Sequence, residues 1–236
     1  MIRFRKAILI IHGFTGNLYD NEYLMNYLEY DPKFDVYAKT LPGHNQDRFK
    51  DCKHTQWVSF VEEEIEYLIK QGYRTIYVVG HSMGGVLASI VASKYKQVKK
   101  LVLVNAAFDY FNFKQNKIDI IDNRDFSKYK GILDKALRMT PSFLIEFTKL
   151  IKKYKNVIKD IKCNVLILQS KEDEIIPLET GEFIYNNVSS KEKYLTHINK
   201  GSHIVLSGNR KEEVSEYIRS YLKGGLKWKT VMKKEL

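Results

Sequence analysis

The sequence predicts one α/β domain, a mostly parallel central sheet flanked by helices, and three observations carry that prediction. Apolar runs of strand length alternate with longer amphipathic stretches along most of the chain. The runs are continuous rather than alternating, as for strands buried on both faces. A chain of 236 residues with 44% hydrophobic and 28% charged residues is long and apolar enough for a single sizeable core.

The elements follow in order. Ala7-Ile8-Leu9-Ile10-Ile11 is the first strand, and Leu18 to Glu29, with Leu24, Tyr27 and Leu28 at helical spacing, is the first helix. Phe34 to Ala38 is a strand that runs into the turn-rich Leu41-Pro42-Gly43-His44-Asn45. Trp57, Val58, Val61, Ile65, Leu68 and Ile69 form one helical stripe. Thr75 to Val79 reads as a strand, Gly84 to Tyr95 as a small-residue helix and Lys100 to Val104 as another strand. The rhythm stops after Phe108, where about fifty charged and aromatic residues follow. In them Leu133, Leu137, Leu144, Phe147 and Ile151 recur at helical spacing around Pro141. It resumes with a strand at Asn164 to Leu168, a helix from Leu178 to Asn186, a strand from Lys193 to Ile198 and a helix from Lys211 to Leu222. The break is read as a helical cap over 108–161 inserted into one domain spanning 1–236.

Composition excludes several classes. No apolar run approaches the ~18 residues of a membrane span, and Ala7 to Ile11 is too short for a signal peptide. Two cysteines, Cys52 and Cys163, make no disulfide framework, so a cytoplasmic protein is expected. The net charge of +11 comes from scattered lysines without a dense arginine cluster, the pattern of solvated faces. No nucleic-acid partner and no stable membrane insertion are expected.

The sharpest motif is Gly80-His81-Ser82-Met83-Gly84-Gly85. It fits Gly-x-Ser-x-Gly directly after a strand and at the start of a helix, the context of a nucleophile elbow. Glycines at Gly80 and Gly84 remove side chains that would clash in such a turn, and the helix start directs its positive end at a developing oxyanion. A phosphate-binding turn does not fit, because no Gly-x-Gly-x-x-Gly and no Gly-Lys-Ser/Thr is present. A serine nucleophile needs a base, itself oriented by an acid. Downstream histidines are His197, within a strand, and His203, in the loop Lys200-Gly201-Ser202-His203 before the last helix; His203 is the better base. The acid falls in Glu172-Asp173-Glu174 after the resumed strand; Asp173 is preferred, and position alone does not separate it from its neighbours. The amide of Met83 and that of Phe14, in the loop His12-Gly13-Phe14-Thr15-Gly16, are the candidate oxyanion donors. His12 and His44 are read as structural, and His54 carries no signal. Neither His-Glu-x-x-His nor paired Cys/His spacing occurs, and no metal or cofactor is expected.

These motifs, with Pro42-Gly43-His44, Ile176-Pro177 and Gly201-Ser202-His203, resemble the α/β-hydrolase superfamily over nearly the whole chain, and within it the small bacterial carboxylesterases and monoacylglycerol lipases. The resemblance implies the α/β-hydrolase fold with a small helical cap inserted after the sixth core strand. It implies catalytic Ser82, Asp173 and His203 with an oxyanion hole at Phe14 and Met83, and it raises Asp173 above its neighbours. The implied activity is two-step acyl transfer on carboxylic esters of short to medium acyl chains, monoacylglycerols among them, in a monomer or homodimer whose partner is the small-molecule ester. Thioesterase, peptidase and carbon–carbon hydrolase activities share the machinery, and a non-catalytic receptor shares the fold. The cap's apolar residues Phe111, Phe113, Leu137, Phe143, Leu144 and Phe147 either line an acyl pocket or pack the cap onto the body.

Overall fold

A computed structural model describes residues 4–44, 49, 51–108, 139–225 and 233–235, the last three by backbone alone. The expected alternation is present. β1 (Lys6–Ile11) leads through a short 3-10 turn (Leu18–Asn21) into α1 (Glu22–Glu29), then β2 (Phe34–Ala38) and α2 (His54–Lys70). β3 (Ile76–His81), α3 (Met83–Lys94) and β4 (Val98–Val104) follow. After the intervening segment come α4 (Pro141–Tyr154), a 3-10 stretch (Lys155–Asp160), β5 (Asn164–Ser170), α5 (Glu179–Asn187), β6 (Lys193–Ile198), α6 (Lys211–Lys223) and β7 (Lys233–Glu235).

Among the described residues the strands form one sheet in the order β2-β1-β3-β4-β5-β6-β7, and every neighbouring pair is parallel. Period-two geometry divides β1 to β6 between two cores. Leu9, Ile11, Val78, Leu101, Leu103, Val165 and Ile167 face α2, α3, α4 and α5. Ile8, Ile10, Val79, Val102, Val104, Leu166 and Leu168 face α1 and α6. That division is why the sequence shows continuous apolar runs. Helix α3 lies between the sheet, α2 and α4, and every residue from Met83 to Ala92 is buried. An all-round apolar helix is the corresponding sequence pattern.

The order reverses beside β1, which has β2 on one side and β3 on the other. Such a switch point leaves a crevice at the carboxyl ends of the strands, and the Gly13-Phe14 loop and Ser82 flank it. Among the described residues the long segment follows β4, the fourth strand, where a sixth was expected. Only four strand-length apolar runs precede Phe108, and β5 and β6 come after the segment. Of the expected cap, residues 109–138 lie outside the described residues, with Phe111, Phe113, Leu133 and Leu137 among them. Among the described residues no helix is long and apolar enough to cross a membrane.

Helix α4 begins as its sequence dictates: Thr140 caps it by accepting the Phe143 amide at 3.2 Å, and Pro141 fills the first position. Its inner face carries Phe143, Phe147, Leu150 and Ile151, all buried, while Leu144 and Ile145 face outward. Phe143→Ala should lower the unfolding free energy by about 3–5 kcal/mol. Leu144→Ala should change it by less than about 1 kcal/mol. Denaturant midpoints at constant m value check the pair; equal losses would contradict the orientation of α4.

Candidate active site

The site begins with a strained turn. Ser82 joins β3 to α3 at φ 53° and ψ −121°, a backbone conformation that costs a non-glycine residue about 1–3 kcal/mol. Its surroundings over-determine it. The Ser82 amide donates to the Val104 carbonyl at 3.0 Å, and the Ser82 carbonyl accepts from the Gly85 and Ala107 amides at 2.9 and 3.1 Å. The two motif glycines are required by contact. A Cβ on Gly80 would sit 2.3 Å from the Gly84 carbonyl oxygen, and one on Gly84 would sit 2.2 Å from that of Ile11.

The three expected side chains meet. His203 Nε2 lies 3.1 Å from Ser82 Oγ, and His203 Nδ1 lies 3.0 and 2.9 Å from the two oxygens of Asp173. A proton on Nδ1 donates to Asp173 and leaves the Nε2 lone pair to accept from the serine hydroxyl. The set is nearly dry: Ser82 is 5% exposed and the Asp173 side chain 1%.

The structure separates the three carboxyls of the acid loop. Asp173 Oδ1 accepts the Ile175 and Ile176 amides, each at 2.8 Å, which turns the side chain inward. Glu174 accepts the backbone amide of His203 at 3.0 Å and so holds His203 by its main chain. Glu172 is exposed. His197 sits in β6, as expected, away from these contacts.

Of the expected oxyanion donors, Met83 is the buried first residue of α3, so its amide stands at a helix N-terminus. Phe14 lies in the loop after β1, and that loop abuts the serine: a Cβ on Gly13 would be 3.0 Å from Ser82 Cβ. The Phe14 ring stacks on Phe143 and Phe147 at centroid distances of 5.0 and 4.2 Å. These two residues of α4 pack the helix against the Gly13-Phe14 loop, the packing role among the two expected for them. Leu144 points the other way. The helix is also pinned by charge. Glu146 accepts from the backbone amide and Nδ1 of His54 at 3.0 and 2.7 Å and from Lys149 at 2.6 Å. Lys149 and then His54 hold the Glu146 carboxyl down at about 2.

Three further histidines of this region, His12, His44 and His81, are buried. The Leu41 amide donates to His12 Nε2 at 2.9 Å, so the His12 proton is on Nδ1, which donates to the Gly13 carbonyl at 2.8 Å. His12 thus ties the Gly13-Phe14 loop to the chain after β2, the bracing role expected of it. His44 lies edge-on to His12 with ring centroids 5.0 Å apart and donates from Nδ1 to the Pro42 carbonyl. His81 Nε2 is 2.8 Å from the carbonyl oxygen of His203. Burial holds His12 down to about 4 and both His44 and His81 to about 3, so all three are neutral at pH 7. Among the described residues no group of three or more His, Cys, Asp or Glu side chains could hold a metal ion.

Sequence reasoning missed Asn105, which is fully buried one residue past β4 with φ 46°. Its side chain contacts Ser170, Ser202 and His203. A lone asparagine after a strand was the only signal.

The neutral histidines set an acid limit. Each binds fewer protons folded than unfolded between its depressed value and about 6.5, so stability rises with pH across that interval and is lost as pH falls through it. Each should contribute a slope of up to about 1.4 kcal/mol per pH unit. Denaturant midpoints measured from pH 8 to pH 4 should fall below about pH 6.5, and His12→Gln should flatten that fall. A flat profile from pH 8 to pH 4 would contradict it.

Comparisons with known proteins bear on the fold and on the relatives of the chain. The family model described as alpha/beta hydrolase fold matches residues 6–116. A thermostable monoacylglycerol lipase from Bacillus sp. strain H-257 is 28% identical over 219 residues, 84% of this chain and 82% of that protein. A carboxylesterase from Bacillus subtilis strain 168 is 26% identical over 232 residues, 92% of each chain. The crystal structure of a monoacylglycerol lipase from Paleococcus ferrophilus superposes with a TM-score of 0.74 at 17% identity, covering 95% of this chain and 96% of that one, which speaks for the fold. With its parallel sheet, the Gly-x-Ser-x-Gly turn between β3 and α3, and these relatives, the chain has the α/β-hydrolase fold and is similar to esterases and lipases that share it.

Proposed function

We propose that the chain is a serine hydrolase that cleaves carboxylic esters through an acyl-enzyme, with Ser82 as nucleophile, His203 as base and Asp173 as the acid that orients it. The observation that carries this reading is the continuous contact from Ser82 Oγ through the His203 ring to Asp173, at 3.1 and then 2.9 Å. A serine hydroxyl is a weak nucleophile, and a base within hydrogen-bond reach is what activates it. His203 takes the Ser82 proton as Oγ attacks the ester carbonyl, and the amides of Phe14 and Met83 hold the oxyanion that forms. The alcohol leaves with the proton from His203. Water, deprotonated by the same ring, then attacks the acyl-enzyme and releases the acid. Asp173 keeps the Nδ1 proton in place and stabilises the imidazolium.

The favoured substrates are esters of short to medium acyl chains, monoacylglycerols among them, in line with the names of the Bacillus relatives. Phe143 and Phe147 are occupied in packing against Phe14. Acyl-chain selection is therefore assigned to the rest of the 108–161 segment, the insertion in an otherwise single domain.

Hydrolysis of p-nitrophenyl esters from acetate to palmitate tests this. Wild type should show a maximum at one short or medium length. Asp173→Asn should lower kcat on the order of 10³–10⁴-fold, and Ser82→Ala should lower it to background. Unchanged turnover in Ser82→Ala would refute the assignment.

A further inference from the structure

The carboxyl ends of β4, β5 and β6 are joined by one side chain that takes no part in the chemistry above. Asn105 Nδ2 lies 3.0 Å from Ser170 Oγ, 3.2 Å from the Ser202 carbonyl and 3.0 Å from the His203 carbonyl. Its Oδ1 accepts the Ser170 amide at 2.8 Å. Ser170 ends β5, and the acid loop that bears Asp173 starts there. Ser202 and His203 belong to the base loop. Val104, the residue before Asn105, accepts the Ser82 amide. One buried residue is therefore linked to the segments bearing all three members of the site.

The residue type suits the place. The left-handed conformation at Asn105 is one that asparagine adopts more readily than other side chains. Its amide offers a donor and an acceptor at one point, and both are needed. The Ser202 and His203 carbonyls accept, while the Ser170 amide donates. The His203 carbonyl accepts from His81 as well, and its amide donates to Glu174, so the backbone of the base is held from both ends.

We propose that Asn105 is a positioning residue for His203: through its buried amide it fixes the base loop against the acid loop and the strand that anchors the nucleophile. The inference rests on the assignment of His203 as the base. A residue whose ring must sit about 3 Å from both its partners is sensitive to its backbone, and misplacement by about 1 Å costs on the order of 10²-fold in rate.

Two substitutions in the full chain separate positioning from support of the fold. Asn105→Asp keeps the left-handed preference and the acceptor for Ser170, and it sets an oxygen against the Ser202 and His203 carbonyls. Asn105→Gly keeps the backbone conformation and removes the whole amide. Three quantities are read well below the thermal midpoint of each variant: kcat and KM on the best p-nitrophenyl ester, and the rate of Ser82 labelling by a fluorophosphonate. In both variants kcat should fall about 10- to 100-fold, KM should stay within about threefold, and labelling should slow in parallel with kcat. A folded variant of either kind with kcat and labelling within about twofold of wild type overturns the inference, however far its midpoint drops, and leaves the esterase reading intact. A wild type that neither hydrolyses nor labels overturns the esterase reading, and this inference with it.

Discussion

The close approach of α3 to the ends of β1 and β3 governs most of the site. Gly84 lies where a Cβ would come 2.2 Å from the Ile11 carbonyl and 2.6 Å from that of His12, so only glycine lets the helix begin so near the sheet. That approach compresses the connection between β3 and α3 into the left-handed turn at Ser82. It also aims the start of α3 at the space above the strand ends, next to the loop that carries Phe14. The strain stored at Ser82 is balanced by hydrogen bonds to Val104, Gly85 and Ala107, of which Val104 and Ala107 belong to the two cores.

Around that turn the protein uses neutral imidazoles as rigid, directional spacers. His12, His44 and His81 are all buried, and desolvation keeps each uncharged. Uncharged rings can be packed closely: His12 and His44 meet edge to face with ring centroids 5.0 Å apart. A tautomer fixed by one bond then makes the other nitrogen specific, as where His12 accepts from Leu41 and donates to Gly13. The Gly13-Phe14 loop is held by His12 through the Gly13 carbonyl and by Phe143 and Phe147 on α4 through the Phe14 ring. The Glu146 contacts with His54 and Lys149 keep that helix seated.

What the sequence shows and what it hides follow from the range of the interactions. The elbow is local: strand, two glycines, serine and helix fall within about ten residues, so Ser82 was legible. The order of serine, acid and histidine, each after a strand, made His203 legible for the same reason. Asp173 was not separable from Glu172 and Glu174 by spacing, because the distinction lies in the Ile175 and Ile176 amides that turn its carboxyl inward. His54 carried no signal, since its partner Glu146 is 92 positions away. Asn105 was silent because its role depends on Ser170 and His203, contributed by two other loops. Phe143 and Leu144 look alike as adjacent apolar residues, and only the packed helix shows that one is fully buried and the other 39% exposed.

The central claim is that Ser82 is a nucleophile activated by His203, and covalent labelling tests it whichever ester the enzyme prefers. The full chain and its His203→Ala variant would be treated with a fluorophosphonate and the adduct located by peptide mass spectrometry. One phosphonyl group on Ser82 in the wild type, with labelling slowed by at least about 10²-fold in His203→Ala, is the predicted result. An unlabelled Ser82 in folded wild-type protein, or labelling equally fast without His203, would contradict the account.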